Sequence, residues 1–327
     1  MTPRITYGIP TMGSRPELLE RAIGSALGQT LPAQVLVSFQ GDEIARREAA
    51  AKWQDHPLVR FAESPATNLW QNWCHVAAEC ETPYFAWLQD DDILAQHAAR
   101  RAVAALDNHP SAVCHIARLG VSYGEGLANW WEATGPMLPM DLLRGTCSTM
   151  TPALMAAGAY LTSHALSPAV AFRRTPSTVA AIRSVPDDSD LFAERSVLVA
   201  LSRFGAAVCD PAIVGYWIQH VGNESRAQNT RAGEGERQYR RMCKYVDPIV
   251  SASPGWKDAV RGHAYLVGQR VAEGWHGHAS PFRDDSEPCG EAVAILEDLY
   301  PSLRRLREPE SAVDTRIARA ERAVART

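Results

Sequence analysis

The first 120 residues alternate short apolar runs with helical patterns, and this alternation restricts the fold more than any other feature of the chain. Runs typical of buried strands occupy residues 5–10, 35–39, 59–61, 84–88 and 112–117. After the first run, residues 14–17 have the spacing of a capping box, and residues 18–27 repeat apolar side chains on one helical face. Residues 72–80 also have a helical pattern. Strands that alternate with helices build a mainly parallel sheet with helices on both faces. We therefore expect an α/β fold.

Two changes of pattern divide the chain. Beyond residue 120 the sequence is less regular, although strand patterns return at 169–173, 207–209 and 213–218. From residue 231 onward it becomes helical and ends in a charge-rich tail. We expect three parts, namely residues 1–120, residues 121–230 and a helical C-terminal extension of residues 231–327.

Charge and cysteine content argue against several classes of function. Lys and Arg total 33 and Asp and Glu 37, so the net charge of −4 gives no reason to expect nucleic acid as a partner. The seven cysteines are scattered without a CxxC pair, which argues against disulfides and a cysteine zinc site. We expect a cytoplasmic protein, because no apolar run reaches the roughly 18 residues of a membrane span and no signal peptide is evident. A peripheral membrane contact and a homo-oligomer remain open.

An acidic triplet, Asp90, Asp91 and Asp92, directly follows the strand pattern at residues 84–88. An isolated run of Asp usually means a solvated loop or a helix cap. Here it falls at the end of a buried strand, where parallel sheets bind ligands. Three adjacent carboxylates repel one another unless a cation neutralises them, and hard oxygen ligands suit Mg²⁺ or Mn²⁺. The placement indicates a divalent-cation site that could also hold diphosphate oxygens.

Several segments, in a fixed order, resemble the family-2 glycosyltransferases. They are IPTMGSR (9–15), LLERAIGSALGQT (18–30), NLWQNW (68–73), PYFAWLQDDDIL (83–94), FRR (172–174), RFG (203–205) and YWIQHVGN (216–223). The resemblance covers about residues 5–225. It implies a GT-A fold, a nucleotide-diphosphate sugar as donor and, usually, inversion at the anomeric carbon.

The resemblance also implies site residues. The nucleotide-sugar would be bound by Pro10, Thr11, Arg15, Gln40, Asn68, Asp90 and Asp92. In the family's acidic DXD motif, Asp90 would lie near the donor ribose, Asp91 would bind the metal and Asp92 would complete the loop. Arg15 could equally be a plain surface residue. His220 matches a position where some relatives place a metal-binding or phosphate-contacting histidine, and a structural histidine is the alternative.

The sequence departs from the family after the second strand. Relatives commonly have Asp-Asp-Gly-Ser there, whereas residues 37–42 read VSFQGD and place Phe39 or Gln40 at the base-reading position. The Gln40 amide could donate to and accept from a pyrimidine edge, or it could be a turn residue before Gly41. We expect UDP as the nucleotide, with GDP and dTDP left open.

The general base is sought among the carboxylates before Gly205. An inverting transfer needs a carboxylate to take the acceptor's proton, and relatives often carry Glu-Asp about a dozen residues before a helix-ending glycine. That spacing selects Glu194, with Asp190 one helical turn earlier as the alternative. An exposed helix carboxylate paired with Arg195 or Arg203 is the competing interpretation of Glu194.

Together these observations predict a metal-assisted glycosyltransferase that uses Mn²⁺ or Mg²⁺. Residues 1–120 would bind the nucleotide-sugar and residues 121–230 the acceptor, which is a saccharide, a lipid-linked molecule or another hydroxyl compound. One alternative is a non-catalytic nucleotide-sugar-binding protein of the same fold. The other is a sugar nucleotidyltransferase, but residues 11–16 lack the glycine-rich loop and downstream lysine expected of one.

Overall fold

The structure is a computed structural model that describes residues 2–41, 48, 51–123, 130–133, 148–161, 167–187, 193–219 and 234–259. Its strands are β1 Ile5–Thr11, β2 Gln34–Phe39, β3 Val59–Glu63, β4 Tyr84–Trp87, β5 Ile93–Leu94, β6 Ala112–Tyr123, β7 Trp130–Ala133, β8 Ser148–Met150, β9 Val170–Arg173 and β10 Ala206–Gln219. Its helices are α1 Pro16–Leu27, α2 Leu69–Glu79, α3 Ala98–Asn108, α4 Pro152–Leu161, α5 Pro176–Arg183, α6 Ala193–Leu201 and α7 Glu234–Ser251. None of these described helices is long and apolar enough to cross a membrane.

One sheet connects the ten strands of the described residues, in the order β3-β2-β1-β4-β9-β6-β10-β5, with β7 beside β6 and β8 beside β10. The first four strands of this order are parallel, as the βα alternation predicted. Beyond them the sheet is mixed, because β9 runs antiparallel to both β4 and β6. The regular alternation stops near residue 120, so no βα unit fixes the direction of β9. Since β9 is antiparallel to β4, it begins at the edge where β1, β2 and β4 end, here called the carboxyl edge.

Helices cover both faces of the sheet, and each face has its own apolar core. Helices α1 and α3 pack on one face with β1 and β2. Helices α2, α4, α6 and α7 pack on the other, around the aromatic cluster Trp70, Trp73 and Trp87. The rings of Trp73 and Trp87 lie 4.9 Å apart between centroids, and burial of each such ring contributes roughly 1.5–3 kcal/mol or more. Gly8 lets α2 approach β1, since a Cβ there would lie 2.0 Å from a methyl carbon of Val76.

Two helix starts differ from those predicted. The capping box at residues 14–17 does not form, because α1 begins one residue later with Arg15 at the N-cap. The Arg15 side chain makes no cap bond within the described residues, since it turns toward the end of β4. Helix α2 begins at residue 69 rather than 72, and the Asn68 side chain caps it by accepting a bond from the Gln71 N–H at 2.8 Å.

The strands predicted at 207–209 and 213–218 form one long strand, β10, whose register with β6 shifts between Cys209 and Ile213. Asp210 lies in this irregular stretch and accepts bonds from Arg101 at 2.6 and 2.5 Å and from the Ala212 N–H at 2.9 Å. Burial favours a higher pKa for Asp210, but these bonds and one with His115 outweigh it and hold the pKa well below its usual range. The network stabilises the bulge from which β10 continues to the carboxyl edge.

Candidate active site

The acidic triplet forms a tight turn, here called the acidic turn, at the carboxyl edge. The Asp92 N–H donates to the Gln89 carbonyl at 3.2 Å, directly after β4. The side chains of Asp90 and Asp91 are each 8% exposed, and Asp92 is fully buried. A solvated surface loop would leave these carboxylates in water, so their burial requires specific partners.

The end of β1 supplies the first partner. The Thr11 hydroxyl donates to Asp90 Oδ2 at 2.5 Å and accepts from the Gly13 N–H at 2.9 Å. Gly13 has φ +73°, a left-handed conformation that favours glycine, and it turns the loop back toward the acidic turn. Parallel pairing of β1 with β4 brings the two loops together.

Arg15 supplies the second partner and bridges two carboxylates. Its guanidinium donates to Asp90 Oδ1 at 2.5 Å and to Asp91 Oδ2 at 2.6 Å. Burial lowers the pKa of Arg15, but the charges of Asp90 and Asp91 outweigh it and raise the pKa above its ordinary value. Burial also raises the pKa of Asp90, in spite of Arg15 and Thr11. One guanidinium therefore balances part of a buried cluster of carboxyl groups.

Asp92 faces the other half of the sheet. Its Oδ1 accepts a bond from the Ile218 N–H of β10 at 2.9 Å. Its Oδ2 is buried and has no hydrogen-bond partner in the part of the chain that the structure describes. Burial raises its pKa well above the ordinary value, and the charges of Asp91 and Glu194 add to that rise. This unpaired oxygen can accept a proton or coordinate a cation.

Glu194 lies in the first turn of α6, and its charge contributes to the raised pKa of Asp92. Its Oε1 accepts a bond from the Ser167 N–H at 2.5 Å. Ser167 precedes β9, which begins at the carboxyl edge. Burial raises the pKa of Glu194 to about 7, although the Ser167 bond opposes that rise. The predicted alternative Asp190 and the predicted metal ligand His220 lie outside the described residues.

Gln40 and Asn68 lie at the same edge, but their side chains are already engaged. With its amide oriented to satisfy both groups, Gln40 donates to the Asn68 carbonyl at 3.1 Å and accepts from the Asn68 N–H at 3.0 Å. The Asn68 side chain caps α2 through Gln71 and donates to the Asp187 carbonyl at 3.3 Å. A base-reading role for Gln40 would require both bonds to break, so the arrangement favours the turn-residue interpretation.

Two contributors to the site were not recognised in the sequence. Pro10, which was predicted, lies buried near the end of β1, opposite Ser38 of β2. Gly13 was not singled out, although a glycine in a loop after a strand is a signal for a left-handed turn. Ser167 acts through its backbone N–H, which leaves no signal in the sequence.

The carboxyl groups have the right chemistry for Mn²⁺ or Mg²⁺, but their arrangement is not that of a ready metal site. Among the described residues, no group of three or more His, Cys, Asp or Glu side chains is placed to hold a metal ion. Instead, Arg15 is bonded to one oxygen each of Asp90 and Asp91. Carboxylate oxygens are the ligands these ions prefer, and the orphaned Oδ2 of Asp92 is such an atom. The donor atoms are therefore of the kind that a divalent cation prefers, but among the described residues they are not arranged as a metal site.

Comparison with known proteins identifies the fold. No protein-family model matches the chain, and no curated protein matches its sequence. The mannosyltransferase PcManGT from Pyrobaculum calidifontis, solved with GDP-Man and Mn²⁺, superposes with a TM-score of 0.52 and 15% identity over 94% of this chain and 84% of that chain. S. aureus TarS 1–349, solved with UDP-GlcNAc, gives a TM-score of 0.49 and 14% identity over 94% of this chain and 93% of that chain. The chain has the GT-A type of α/β fold, as the resemblance implied.

Proposed function

We propose that this protein is a glycosyltransferase of the family-2 type, which moves a sugar from a nucleotide-diphosphate donor to an acceptor hydroxyl with inversion. The observation that carries the proposal is the contact between the loops after β1 and β4, in which Thr11 and Arg15 hold Asp90 and Asp91. Ligands of open α/β sheets bind beyond the carboxyl ends of the strands. Buried charges of both signs at that edge suit a ligand that is itself anionic and rich in hydroxyl groups.

The donor half of the site can bind the two polar parts of a nucleotide-diphosphate sugar. The guanidinium of Arg15 matches phosphate oxygens in a bidentate manner. Asp90, which Thr11 holds, would accept bonds from ribose hydroxyls. Asp91, together with His220, would hold Mn²⁺ or Mg²⁺, and the bound cation would neutralise charge on the departing nucleoside diphosphate.

Glu194 is proposed as the general base. The acceptor oxygen forms a bond to the anomeric carbon as the bond to the diphosphate breaks, and the leaving electron pair stays with the diphosphate. The proton of the acceptor hydroxyl must pass to a nearby base, and a base with a pKa near the working pH is the most effective. The pKa of about 7 for Glu194 meets that condition, and Ser167 fixes the direction of its carboxyl group. Asp190 remains the alternative base.

A second candidate is a non-catalytic nucleotide-sugar-binding protein. The observation that favours it is the bonding of the Gln40 amide to Asn68, because the carboxylate that commonly reads the base in the family is replaced by an amide engaged elsewhere. The two candidates share the binding site and differ only in turnover. Cleavage of a bound donor therefore separates them.

Thermal unfolding with candidate donors tests the proposal. GDP-mannose with Mn²⁺ is the first pair to try, since both are bound to the mannosyltransferase of the same fold, followed by UDP- and dTDP-sugars. A donor present at about 100 times its dissociation constant stabilises the protein by roughly 2.7 kcal/mol, so Tm should rise by several degrees. The rise should be larger with Mn²⁺ than with EDTA. The proposal fails if none of the donors shifts Tm, and a shift without donor cleavage selects the binding protein.

A further inference from the structure

We propose that Arg15 is a built-in counter-cation of the acidic turn, which must leave Asp90 and Asp91 before a divalent cation binds there and which then binds the donor diphosphate. This inference rests on the proposed function and adds the order of events in which Arg15 leaves the carboxylates before the cation binds. Cation and nucleoside diphosphate bind with positive coupling, and Arg15 carries that coupling.

The first step is competition for the same atoms. Arg15 is bonded to Asp90 Oδ1 and Asp91 Oδ2, and both carboxylates are largely withdrawn from water. Charge pairs are stronger where the surroundings exclude water. A divalent cation that approaches the nucleotide-free protein therefore has to displace a guanidinium from oxygens that it needs itself.

The second step is that Asp90, Asp92 and α1 have other supports when Arg15 leaves. The Arg15 side chain is 32% exposed, and α1 does not use it as a cap within the described residues. Asp90 keeps its bond from Thr11, and Asp92 keeps its bond from the Ile218 N–H. Withdrawal of the guanidinium therefore changes mainly the surroundings of Asp91, which loses its bond from Arg15.

The third step is the destination of the guanidinium. A nucleoside diphosphate at the carboxyl edge offers phosphate oxygens, which a guanidinium binds in a bidentate manner. Asp91 would then be available to the cation, and Arg15 to the diphosphate. Binding of either ligand therefore lowers the free energy needed to separate Arg15 from the carboxylates when the other ligand binds. Such coupling between two ligands is necessarily reciprocal.

Titration of Mn²⁺ in the presence and absence of nucleotide tests the inference. The protein is titrated with Mn²⁺ alone and with Mn²⁺ in saturating GDP or UDP, by calorimetry. For the wild type we expect Mn²⁺ to bind about tenfold more tightly when the nucleotide is present, within the range usual for coupled sites. For Arg15→Gln we expect Mn²⁺ alone to bind about tenfold more tightly than to the wild type, and the coupling between Mn²⁺ and nucleotide to be smaller than in the wild type.

Two further variants sharpen the comparison. Arg4→Gln is the matched control, because Arg4 precedes β1 at the opposite edge and pairs there with the exposed Asp107, and it should titrate like the wild type. Arg15→Lys keeps the charge but loses the bidentate geometry, so its Mn²⁺ affinity should lie between those of the wild type and Arg15→Gln. If Arg15→Gln does not fold, which circular dichroism will show, Arg15→Lys provides the same test with a smaller effect.

The titration separates failure of this inference from failure of the proposed function. If the wild type binds nucleotide with Mn²⁺, but Mn²⁺ alone binds Arg15→Gln no more tightly than the wild type, the counter-cation role is wrong and the proposed function stands. If no nucleotide binds, the proposed function is wrong. The titration with Mn²⁺ alone still tests Arg15 in that case, and failure of Arg15→Gln to bind Mn²⁺ overturns the inference.

Discussion

The hydroxyl of Thr11 donates a 2.5 Å hydrogen bond to Asp90 Oδ2 and thereby joins the end of β1 to the acidic turn. Thr11→Val keeps the branched shape and removes the donor. A bond to a charged group contributes about 1.5–3 kcal/mol, so we expect donor affinity to fall about tenfold or more, as measured by calorimetry. Thr6→Val is the control, because Thr6 pairs with Thr82 at 2.6 Å near the other end of β1. It should lower stability and leave affinity unchanged. Equal affinity losses in both variants would show that Thr11 has no specific role.

The dependence of nucleotide binding on the metal should require Asp91. Asp91→Ala should abolish the Mn²⁺-dependent part of nucleotide binding in a calorimetric titration. The fold should survive, since removing one of three neighbouring carboxylates relieves repulsion while it breaks one bond to Arg15. Equal nucleotide affinities of the wild type with Mn²⁺ and with EDTA would contradict the role given to the metal.

The Gln40 amide should matter for stability more than for choice of nucleotide. Gln40→Ala removes both bonds to the Asn68 backbone, and the lost bonds should cost about 1–3 kcal/mol in the free energy of unfolding. The ratio of UDP to GDP affinity should change less than about twofold, well below the effect of a lost base contact. Chemical denaturation and competitive titration measure the two quantities. A change of tenfold or more in the ratio would restore Gln40 as a base-reading residue.

The pH dependence of turnover and of stability should reflect the protonation of Glu194. A general base acts only when deprotonated, so turnover should rise with pH through about 7 and then level off. Burial raises the folded-state pKa of Glu194 from 4.5 to about 7, so the folded protein binds this proton more tightly than the unfolded chain. Its stabilising effect is complete below pH 4.5 and is lost as the pH rises through about 7. Denaturation of Glu194→Gln across this window should therefore show a smaller decline in stability than the wild type. An unchanged decline would exclude Glu194 as its source.

The fold and the position of the acidic turn at the carboxyl edge could be predicted from the sequence, because both depend on local pattern. The strand pattern at residues 84–88 directly precedes the acidic turn. The turn is therefore predicted to follow a strand, whatever position that strand takes in the sheet. The antiparallel direction of β9 could not be predicted, since it depends on how the chain returns after residue 120. The bridge from Arg15 to Asp90 and Asp91 was equally hidden, because residues 75 and 76 positions apart meet only through the pairing of β1 with β4. The bonds of the Gln40 amide could not be predicted, because they are made to the backbone of Asn68, and any residue has such backbone groups.

The most direct test of the central claim is release of nucleoside diphosphate from the donor selected by thermal unfolding. The wild type should cleave that donor in the presence of Mn²⁺, and faster with a competent acceptor. Positioned proton transfer contributes roughly 10²–10⁴-fold to rate, so Glu194→Gln should lose about that factor in turnover with acceptor while donor affinity barely changes. Asp190→Asn, assayed beside it, should retain most of the activity. If Glu194→Gln retains donor cleavage and Asp190→Asn loses it, Asp190 is the base. If the wild type cleaves none of the donors that it binds, the account is contradicted.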